Sequence, residues 1–257
     1  MGAEPLPDLP GFRRLALGDV DSTNSVALEL ARKGEPGGLW ITARRQLKGR
    51  GRRGRPWVSE EGNLYASLLL TDPAPPERIG TLPLVAALAV YRTLRPFFAA
   101  TPQALAIKWP NDVLVDGQKV NGVLLESERL SKGRLAVVIG CGINCAHHPA
   151  DTPYPATDLA ACGVAVAPDA LFAGLAAAFD RTLAEWNGGL GFEAIRTAWL
   201  LAARGVGERV VVSLQDRSLD GRFEDIDREG YLCLRTDDGA LRLISAGDLF
   251  FGQEGHG

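Results

Sequence analysis

The spacing of apolar residues changes after Gly205, and this change constrains the fold of the chain most strongly. Beyond Gly205, apolar side chains alternate with polar ones in short segments, as at Val210 and Val212, and turn residues recur about every ten positions. Short alternating strands at such regular intervals are typical of a small β-barrel. We therefore predict two domains, one over residues 1–204 and a small β-barrel over residues 205–257.

The first domain mixes helical and strand-like segments without a regular alternation between them. A mostly apolar stretch at residues 78–98 predicts a core helix. The segment that begins with "DSTN" predicts a helix that is capped by Ser22 or Thr23 and ended by Gly34. A "DG" pair at 116–117 lies between two strand-like runs and predicts a tight hairpin. These features favour an α+β fold, in which helices pack on a mixed, mostly antiparallel sheet.

The composition is that of a soluble globular protein without disulfides. The chain is 46% hydrophobic and 23% charged, as ordinary soluble domains are, and its 257 residues can bury a core that needs no cross-links. Its four cysteines form no CxxC pair, so we predict free thiols rather than a zinc site. There is no signal-peptide pattern, and no apolar run approaches the ~20 residues that span a bilayer. We predict a cytoplasmic protein without membrane contact.

A run of basic residues at 44–55 contains six arginines, one lysine and no acidic residue. The whole chain has a formal net charge of −3, so the rest of it sums to about −10. Three interpretations compete for this run, namely a nucleic-acid contact, a solvated loop and a cradle for a small anion.

The glycines within this run favour the anion cradle. A nucleic-acid site usually spreads its charge over a basic face, whereas here one basic loop belongs to an otherwise acidic protein. A solvated loop has no need of Gly49, Gly51 and Gly54 between its arginines. Glycines let backbone N–H groups approach a ligand closely, and arginines offer planar paired donors to phosphate oxygens. The residues predict an anion cradle but do not identify the anion.

Two further motifs carry polar groups that suit a ligand. Lys108, in "KWPND", follows an apolar strand and suits a phosphoryl centre at which negative charge develops, although the position also suits a lysine that only reaches water. Asp112 of the same motif suits either a turn or a metal ion. "DSTN" places Ser22, Thr23 and Asn24 at a helix start, where they suit a polar, uncharged ligand group as well as a helix cap.

Together these motifs resemble those of the biotin–protein ligases. The likeness covers about residues 12–252, and the motifs occur in that family's order and approximate spacing. They are "DSTN" at 21–24, "Q..GRGRRGR.W" at 46–57, "GNLY" at 62–65, "KWPND" at 108–112, "K..G.L.E" at 119–126 and "G.GIN" at 140–144. The resemblance implies a catalytic domain like that of class II synthetases, followed by an SH3-like barrel.

The resemblance also implies a two-step reaction that consumes ATP. The carboxylate of biotin attacks the α-phosphorus of ATP and forms biotinyl-5′-adenylate with release of pyrophosphate. A specific lysine of a biotin carboxyl carrier domain, from acetyl-CoA carboxylase or a related carboxylase, then takes up the biotin as AMP leaves. Mg²⁺ would accompany the triphosphate, with Asp112 as the implied metal-binding residue.

The site residues are implied by the same resemblance, and Lys108 and Arg52 are the implied catalytic residues. The basic loop is expected to be mobile when empty and to close over the adenylate, which keeps water away. The implied biotin-binding residues are Ser22, Thr23, Asn24, Gln46, Arg50, Gly51, Arg52, Lys108, Gly122 and Leu124. The implied ATP-binding residues are Arg50, Arg52, Arg53, Arg55, Trp57, Lys108, Asn111 and Asn144.

Three departures from the family pattern leave the implied catalytic groups in place. Lys48 adds charge where a small residue is common, Asn121 replaces a common Ala or Gly beside the expected pocket, and Pro56 stiffens the exit of the loop. About twenty residues precede "DSTN", so we expect no N-terminal DNA-binding domain, no DNA binding and no repressor activity. Edge strands of the central sheet could pair two copies as a homodimer.

Two other functions remain as alternatives. A lipoate-attaching enzyme shares the architecture, but it would need an apolar tunnel in place of the polar "DSTN" corner. A nucleic-acid-binding module would use the arginines directly, and its binding would weaken with salt.

Overall fold

The protein forms two β-sheets, and its helices pack mainly on the larger one. A computed structural model describes residues 2–6, 8–150, 152 and 154–251. Within these residues the larger sheet has eight strands in the order β1-β2-β3-β4-β8-β7-β6-β5. They are β1 (Glu4–Pro5), β2 (Arg13–Val20), β3 (Leu39–Gln46), β4 (Leu64–Thr71), β5 (Leu105–Lys108), β6 (Asp112–Val115), β7 (Gln118–Arg129) and β8 (Leu135–Ile143). Only β2 and β3 pair in parallel among these strands, which confirms the prediction of a mixed, mostly antiparallel sheet.

Helices cover both faces of the larger sheet. They are α1 (Thr23–Arg32), α2 (Pro76–Ile79), α3 (Leu82–Phe98), α4 (Pro168–Trp186) and α5 (Phe192–Ala202). α1 packs on β3, β4 and β8, around a small apolar cluster of its own. α3, α4 and α5 pack together over the opposite face, where Trp40 meets the rings of Phe172 and Phe179 edge-on at 5.6 and 5.1 Å. None of the helices in the described ranges is long and apolar enough to cross a bilayer.

The start of α1 differs from the prediction, whereas its end agrees. Ser22 occupies the N-cap position, but its side chain makes no capping hydrogen bond, so the predicted cap is wrong. Thr23 is already helical, and its hydroxyl donates to Gln46 instead. The helix ends at Arg32, and Gly34 follows with a φ of +89°, a left-handed conformation that glycine adopts without strain. The side chains of Thr23 and Asn24 therefore make hydrogen bonds with other elements instead of capping the helix.

The predicted hairpin between β6 and β7 is present. Asp116 and Gly117 have φ values of +48° and +78°, and a two-residue type I′ turn requires positive φ at both positions. The carboxylate of Asp116 accepts a hydrogen bond from the backbone N–H of Ala104 at 2.8 Å. The hairpin register brings Gly122 opposite Asp112, so two of the sequence motifs meet.

The C-terminal part forms the second sheet, which is antiparallel throughout its described strands. Its strand order is β12-β11-β10-β9-β13. The strands are β9 (Arg209–Ser213), β10 (Ser218–Ile226), β11 (Leu232–Arg235), β12 (Leu241–Ile244) and β13 (Asp248–Phe251). Short alternating strands therefore do form a separate sheet after residue 205, as the pattern of apolar residues predicts.

The two sheets share one apolar core. Buried side chains of the second sheet, among them Phe223 and Leu249, belong to the same cluster as the buried residues of α3 and α5. The backbone N–H of Arg204 also donates to the carbonyl of Ile107 at 2.9 Å, beside strand β5. The shared core fixes where β13 lies relative to the larger sheet.

Replacing Phe223 with alanine should destabilise the whole chain, because this fully buried ring lies in the shared core. Such a cavity lowers the free energy of unfolding by roughly 3–5 kcal/mol. All five tryptophans lie within residues 1–204, so tryptophan fluorescence during urea unfolding reports on the first part alone. We expect the urea concentration at the midpoint of this fluorescence transition to be lower in Phe223→Ala than in the wild type. An unchanged midpoint with a separate, early loss of circular dichroism would contradict the shared core.

Candidate active site

A cleft lies where the start of α1, the loop after β3, the β5–β6 break, β7, β8 and β13 meet. It holds about 910 Å³ of space, part of which is open to solvent. Most of the residues that the sequence singles out line this one cleft. They are Ser22, Thr23, Asn24, Gln46, Arg50, Gly51, Arg52, Arg55, Trp57, Lys108, Asn111, Asp112, Gly122 and Leu124.

Two predicted nucleotide-binding residues lie outside the cleft in this structure. Asn144 is buried, and its side-chain amide donates to the carbonyl of Thr157 at 3.0 Å. Arg53 extends toward the second sheet, where it donates to the carbonyl of Ser213 at 3.3 Å. Asn144 thus supports the backbone beside the cleft, and Arg53 helps to join the loop to the second sheet.

Neutral hydrogen-bonding groups form a buried corner of the cleft. The side-chain oxygen of Gln46 accepts hydrogen bonds from the backbone N–H of Thr23 at 2.9 Å and from its hydroxyl at 3.0 Å. The hydroxyl of Ser67, on β4, donates to the side-chain oxygen of Asn24 at 2.6 Å. Ser22, Thr23 and Asn24 are all nearly inaccessible to solvent. This neutral corner suits a polar ligand group without charge, as predicted for "DSTN".

Glu126 connects the neutral corner with the basic loop. Its carboxylate accepts from the Asn24 amide at 2.8 Å and from two nitrogens of Arg50 at 3.0–3.3 Å. Arg50 also donates to the hydroxyl of Ser25 at 2.9 Å. The charge of Arg50 is therefore balanced by a carboxylate in this structure. The sequence analysis assigned no role to Glu126, although it ends the "K..G.L.E" motif.

The basic loop at residues 49–57, hereafter the arginine loop, folds back on itself through backbone contacts. Gly51 donates its N–H to the carbonyl of Arg55 at 2.7 Å, and Trp57 donates to Gly49 at 2.9 Å. A Cβ at Gly49 would lie 2.6 Å from the carbonyl oxygen of Trp57. Glycine is therefore needed at the point where the two ends of the loop come together.

Arg52 lies between the larger sheet and the second sheet. Its guanidinium donates to the side-chain oxygen of Asn111 at 3.2 Å and to the carbonyl of Gly247 at 2.8 Å. It also lies 3.8 Å from the carboxylate of Asp248. Burial lowers the pKa of Arg52, yet a guanidinium remains charged at any working pH. These hydrogen bonds thus fix the position of Arg52, which is a partly desolvated cation at the edge of the cleft.

Asp248 binds the other two arginines that reach the second sheet. Its carboxylate contacts Arg53 at 3.1 Å and also forms a close ion pair with Arg55. Burial opposes ionisation, but the hydrogen bond from Arg55 and the charges of Arg52 and Arg53 hold the pKa of Asp248 below its ordinary value. Three guanidinium groups therefore share one carboxylate. The sequence gives little signal for this residue, which lies almost 200 positions after the loop.

Two lysines lie near one another in the cleft. The Lys108 ammonium lies 5.2 Å from the ring centre of Phe250 and 5.8 Å from that of Tyr154, and the Lys119 ammonium lies 4.9 Å from Tyr154. Lys119 also forms an ion pair with Asp112 at 2.9 Å. Burial lowers the pKa of Lys108, and the nearby charge of Asp112 opposes this change. The aromatic faces attract both cations, and a low local dielectric leaves their charges poorly screened.

The residues present do not fit a resident metal ion. The described part of the chain contains no group of three His, Cys, Asp or Glu side chains that could hold one. Asp112, the predicted metal ligand, is already paired with Lys119. A single carboxylate that is paired with a cation makes a poor site for Mg²⁺, which prefers several oxygen ligands.

Alternate glycines of β8 make room for two side chains above the sheet. A Cβ at Gly140 would collide with the Asn24 amide, and a Cβ at Gly142 would lie 2.6 Å from the indole of Trp57. Gly122, opposite Gly142 on β7, lies beneath the same ring. Asn24 and Trp57 therefore depend on positions without side chains, which explains the "G.GIN" spacing.

Several residues that line the cleft were not predicted, and most of them lie on β7, β8 and β13. They are Pro56, Trp109, Lys119, Val123, Gly140, Cys141, Gly142, Tyr154, Asp248, Leu249 and Phe250. The "G.GIN" motif could have indicated Gly140 and Gly142, because alternate residues of a strand face the same side, and Lys119 is itself the first residue of "K..G.L.E".

Comparisons with known proteins find matches for the residues of both sheets. Residues 17–144 match the biotin/lipoate A/B protein ligase family, and residues 205–252 match the biotin protein ligase C-terminal domain. The biotin–[acetyl-CoA-carboxylase] ligase of Paracoccus denitrificans is 42% identical over 92% of this chain and 99% of its own length. The bifunctional ligase/repressor BirA of Bacillus subtilis (strain 168) is 33% identical over 88% of this chain and 70% of its own length. Among solved structures, biotin protein ligase from Aquifex aeolicus in complex with biotin and ATP has a TM-score of 0.78 at 29% identity, over 94% of this chain and 99% of that chain.

Replacing Gly142 with alanine should displace the indole of Trp57, because the new Cβ would lie 2.6 Å from ring atoms. We expect acrylamide to quench the tryptophan fluorescence of Gly142→Ala more strongly than that of the wild type. Gly18→Ala is a matched control, since a Cβ there meets nothing within 4 Å. The effect should vanish in a Trp57→Phe background, and its persistence there would contradict the contact.

Proposed function

This chain belongs to the biotin–protein ligase family, and we propose that it attaches biotin to a protein in two steps. In the first step, a carboxylate oxygen of biotin attacks the α-phosphorus of ATP, and the bond to pyrophosphate breaks. In the second step, a lysine amine of a biotin carboxyl carrier domain attacks the acyl carbon. The amine loses a proton, and AMP leaves with the electrons of the broken acyl–oxygen bond.

One observation carries this proposal. A buried corner of neutral polar groups and two cations lie in the same cleft. Thr23, Asn24 and Gln46 offer uncharged donors and acceptors, which suit the urea group of a biotin ring. Lys108 and Arg52 supply positive charge in the same cleft, which suits a carboxylate and a phosphate. A ligand with a neutral polar head and an acidic tail matches both sets.

The cations address the main obstacle to the first step, which is the repulsion between two anions. Biotin carboxylate and triphosphate must meet, and negative charge then grows on the α-phosphoryl oxygens. Lys108 is held among Tyr154 and Phe250, where little water screens its charge. A preorganised cation at such a point stabilises the transition state more than it stabilises the bound ligands. We assign this role to Lys108, with Lys119 and Arg52 beside it.

We assign Mg²⁺ to the nucleotide rather than to the protein. Magnesium is held in many nucleotide sites mainly by phosphate oxygens and water, with few protein ligands. The ion pair between Asp112 and Lys119 leaves no free carboxylate cluster beside the described lysines. No step of the proposed chemistry depends on a protein-bound metal.

The alternatives fit the cleft less well. A lipoyl group carries no urea that could exchange hydrogen bonds with the polar side chains of this corner, whereas the ring of biotin does. Nucleic acid usually requires cations that are spread over a basic face, whereas Arg50, Arg52 and Arg55 line one cleft. Biotin is therefore the better-supported substrate.

Pyrophosphate exchange into ATP tests the first step directly. We expect exchange that depends on biotin and does not occur with lipoate. Exchange with lipoate alone would reject the proposal. Mass spectrometry of a biotin carboxyl carrier domain after incubation with biotin, ATP and the enzyme tests the second step, for which we expect the mass of one added biotinyl group on one lysine.

Replacing Lys108 with alanine should slow adenylation far more than it weakens biotin binding. Loss of one preorganised charge-stabilising group lowers the rate by roughly 10²–10³-fold, whereas the neutral corner would still bind the ring. The measurements are pyrophosphate exchange and calorimetry with biotin. Lys33→Ala is a control, since Lys33 is exposed at the end of α1 and pairs with Glu29. Equal losses of rate and affinity would show that Lys108 only binds.

A further inference from the structure

We propose that Phe250 is a positioning residue for the reaction, because its ring holds the ammonium of Lys108 at the point in the cleft where the two anions meet. The contact rests on the geometry of the cleft, whereas the reaction that it serves rests on the proposed function. Phe250 belongs to the second sheet and Lys108 to the larger one, so the two sheets together set the position of one cation.

Lys108 differs from other cations of the cleft in the kind of partner that it has. Arg50 and Lys119 form ion pairs with carboxylates. Within the described residues, the Lys108 ammonium forms no ion pair with a carboxylate, and its near partners are the rings of Phe250 and Tyr154. An aromatic face attracts a cation but carries no net charge. The charge of Lys108 is therefore not neutralised by the group that holds it.

Of the two rings, Phe250 faces Lys108 and, among the described residues, no second cation. Its centre lies 5.2 Å from the Lys108 ammonium, compared with 5.8 Å for the ring of Tyr154. Tyr154 also faces the ammonium of Lys119, which lies closer to it at 4.9 Å. Distances below about 6 Å are those at which a ring face attracts a cation. Phe250 thus gives Lys108 an aromatic partner that it does not share with Lys119.

Strand pairing fixes the backbone on both sides of this contact. Lys108 ends β5 and lies opposite Asp112 of β6. Phe250 lies within β13, opposite Val211 of β9, and its neighbour Leu249 is buried in the shared core. The backbone that carries the ring is therefore held in place, and the long, flexible lysine side chain is ordered against the ring.

Ordering this side chain affects the rate because only some of its rotamers direct the ammonium into the cleft. A cation–ring contact of ordinary strength favours the rotamers that keep it by roughly fivefold. Loss of the contact should lower the fraction of molecules with Lys108 in place, and the rate of adenylation falls with that fraction. Binding of the neutral biotin ring should change little, since that ring lies in another part of the cleft.

The charged groups around Lys108 determine its protonation together with the ring. Burial is the main cause that lowers the pKa of Lys108, and the charges of Lys119 and Arg204 also lower it, whereas Asp112 and Asp248 raise it. The ring attracts only the ammonium form, so it favours the charged state. An apolar group of similar size without a ring keeps the burial and removes this attraction. The pKa of Lys108 should then fall further.

Selective labelling of lysine tests the contact without any reaction. The chain contains five lysines, so the full-length protein labelled with ¹³C at the lysine Cε gives few signals, and Lys108→Arg identifies that of Lys108. Protons above a ring face are shifted upfield. We expect Phe250→Leu to reduce this upfield shift and to lower the pH at which the signal titrates. Phe250→Tyr, which keeps the ring, should stay close to the wild type on both measures.

Two outcomes of this titration would overturn the proposal. One is an unchanged Lys108 signal in Phe250→Leu, because the ring would then not hold the ammonium. The other is an equal change in the signal of Lys119, which would report a general disturbance of the cleft.

Pyrophosphate exchange shows whether the contact serves the reaction. We expect Phe250→Leu to slow biotin-dependent exchange by roughly fivefold and to leave the biotin affinity from calorimetry within about twofold of the wild type. The alkaline fall of the rate should move to lower pH, because the charged form of Lys108 is lost earlier as the pH rises. Phe250→Tyr should restore the rate. Phe97→Leu is the matched control with a wild-type rate, since Phe97 on α3 is as exposed as Phe250, at 38%.

A double-mutant cycle separates positioning from general damage. In a Lys108→Ala background, Phe250→Leu should slow exchange no further, because the side chain that it positions is absent. An undiminished loss in that background, or an unchanged rate in Phe250→Leu alone, would contradict the positioning role. If the Lys108 signal responds as expected but the wild type shows no exchange with biotin, the ring contact stands and the proposed function fails.

Discussion

The cleft depends on the apolar contact between the two sheets, because that contact decides where β13 lies. Leu249 is buried in the shared core, and its neighbours Asp248 and Phe250 line the cleft beside Arg52 and Lys108. Apolar packing thus places the carboxylate of Asp248 and the ring of Phe250 at a site that consists mostly of residues from the larger sheet and its loops. The second sheet is part of the site rather than an attachment to it.

Charge pairing explains how so many cations can lie together around one cleft. Arg50 meets Glu126, Lys119 meets Asp112, and the remaining loop arginines meet Asp248. Each carboxylate comes from a strand, whereas most of the cations come from a loop. Ion pairs of this kind are partly desolvated, so removing one partner costs more than the pair contributes.

The local features of the fold could be predicted from the sequence, and most of the site could be predicted from its motifs. The turn at Asp116 and Gly117 and the end of α1 at Gly34 follow from backbone preferences of single residues. Gathering "DSTN", "KWPND" and the arginine loop in one cleft was implied by the resemblance and is found in the structure. The predictions of the turn and of the helix end succeed because short motifs carry their own conformation, whereas the roles of the site residues stay predictions.

Other contacts could not be predicted, because tertiary packing overrides a local preference or joins distant positions. Thr23 suits a helix cap by itself, but its hydroxyl donates to Gln46 from another element. Asn144 bonds to the backbone at Thr157 instead of facing the cleft. Asp248 is one acidic residue among many in the sequence, and only the packing of β13 gives it three arginine partners.

The glycines beneath Trp57 and Asn24 also decide which surfaces of the cleft can change shape. At Gly122, Gly140 and Gly142 the floor consists of main chain that is paired between β7 and β8. The backbone at these glycines has no side chain that could change rotamer, and the side chains of Asn24 and Trp57 lie directly on it. The walls, by contrast, are long side chains with many rotamers. The cleft thus combines a backbone floor of fixed shape with walls of side chains that can change rotamer. A ligand must fit the floor, whereas the walls can adjust to the ligand.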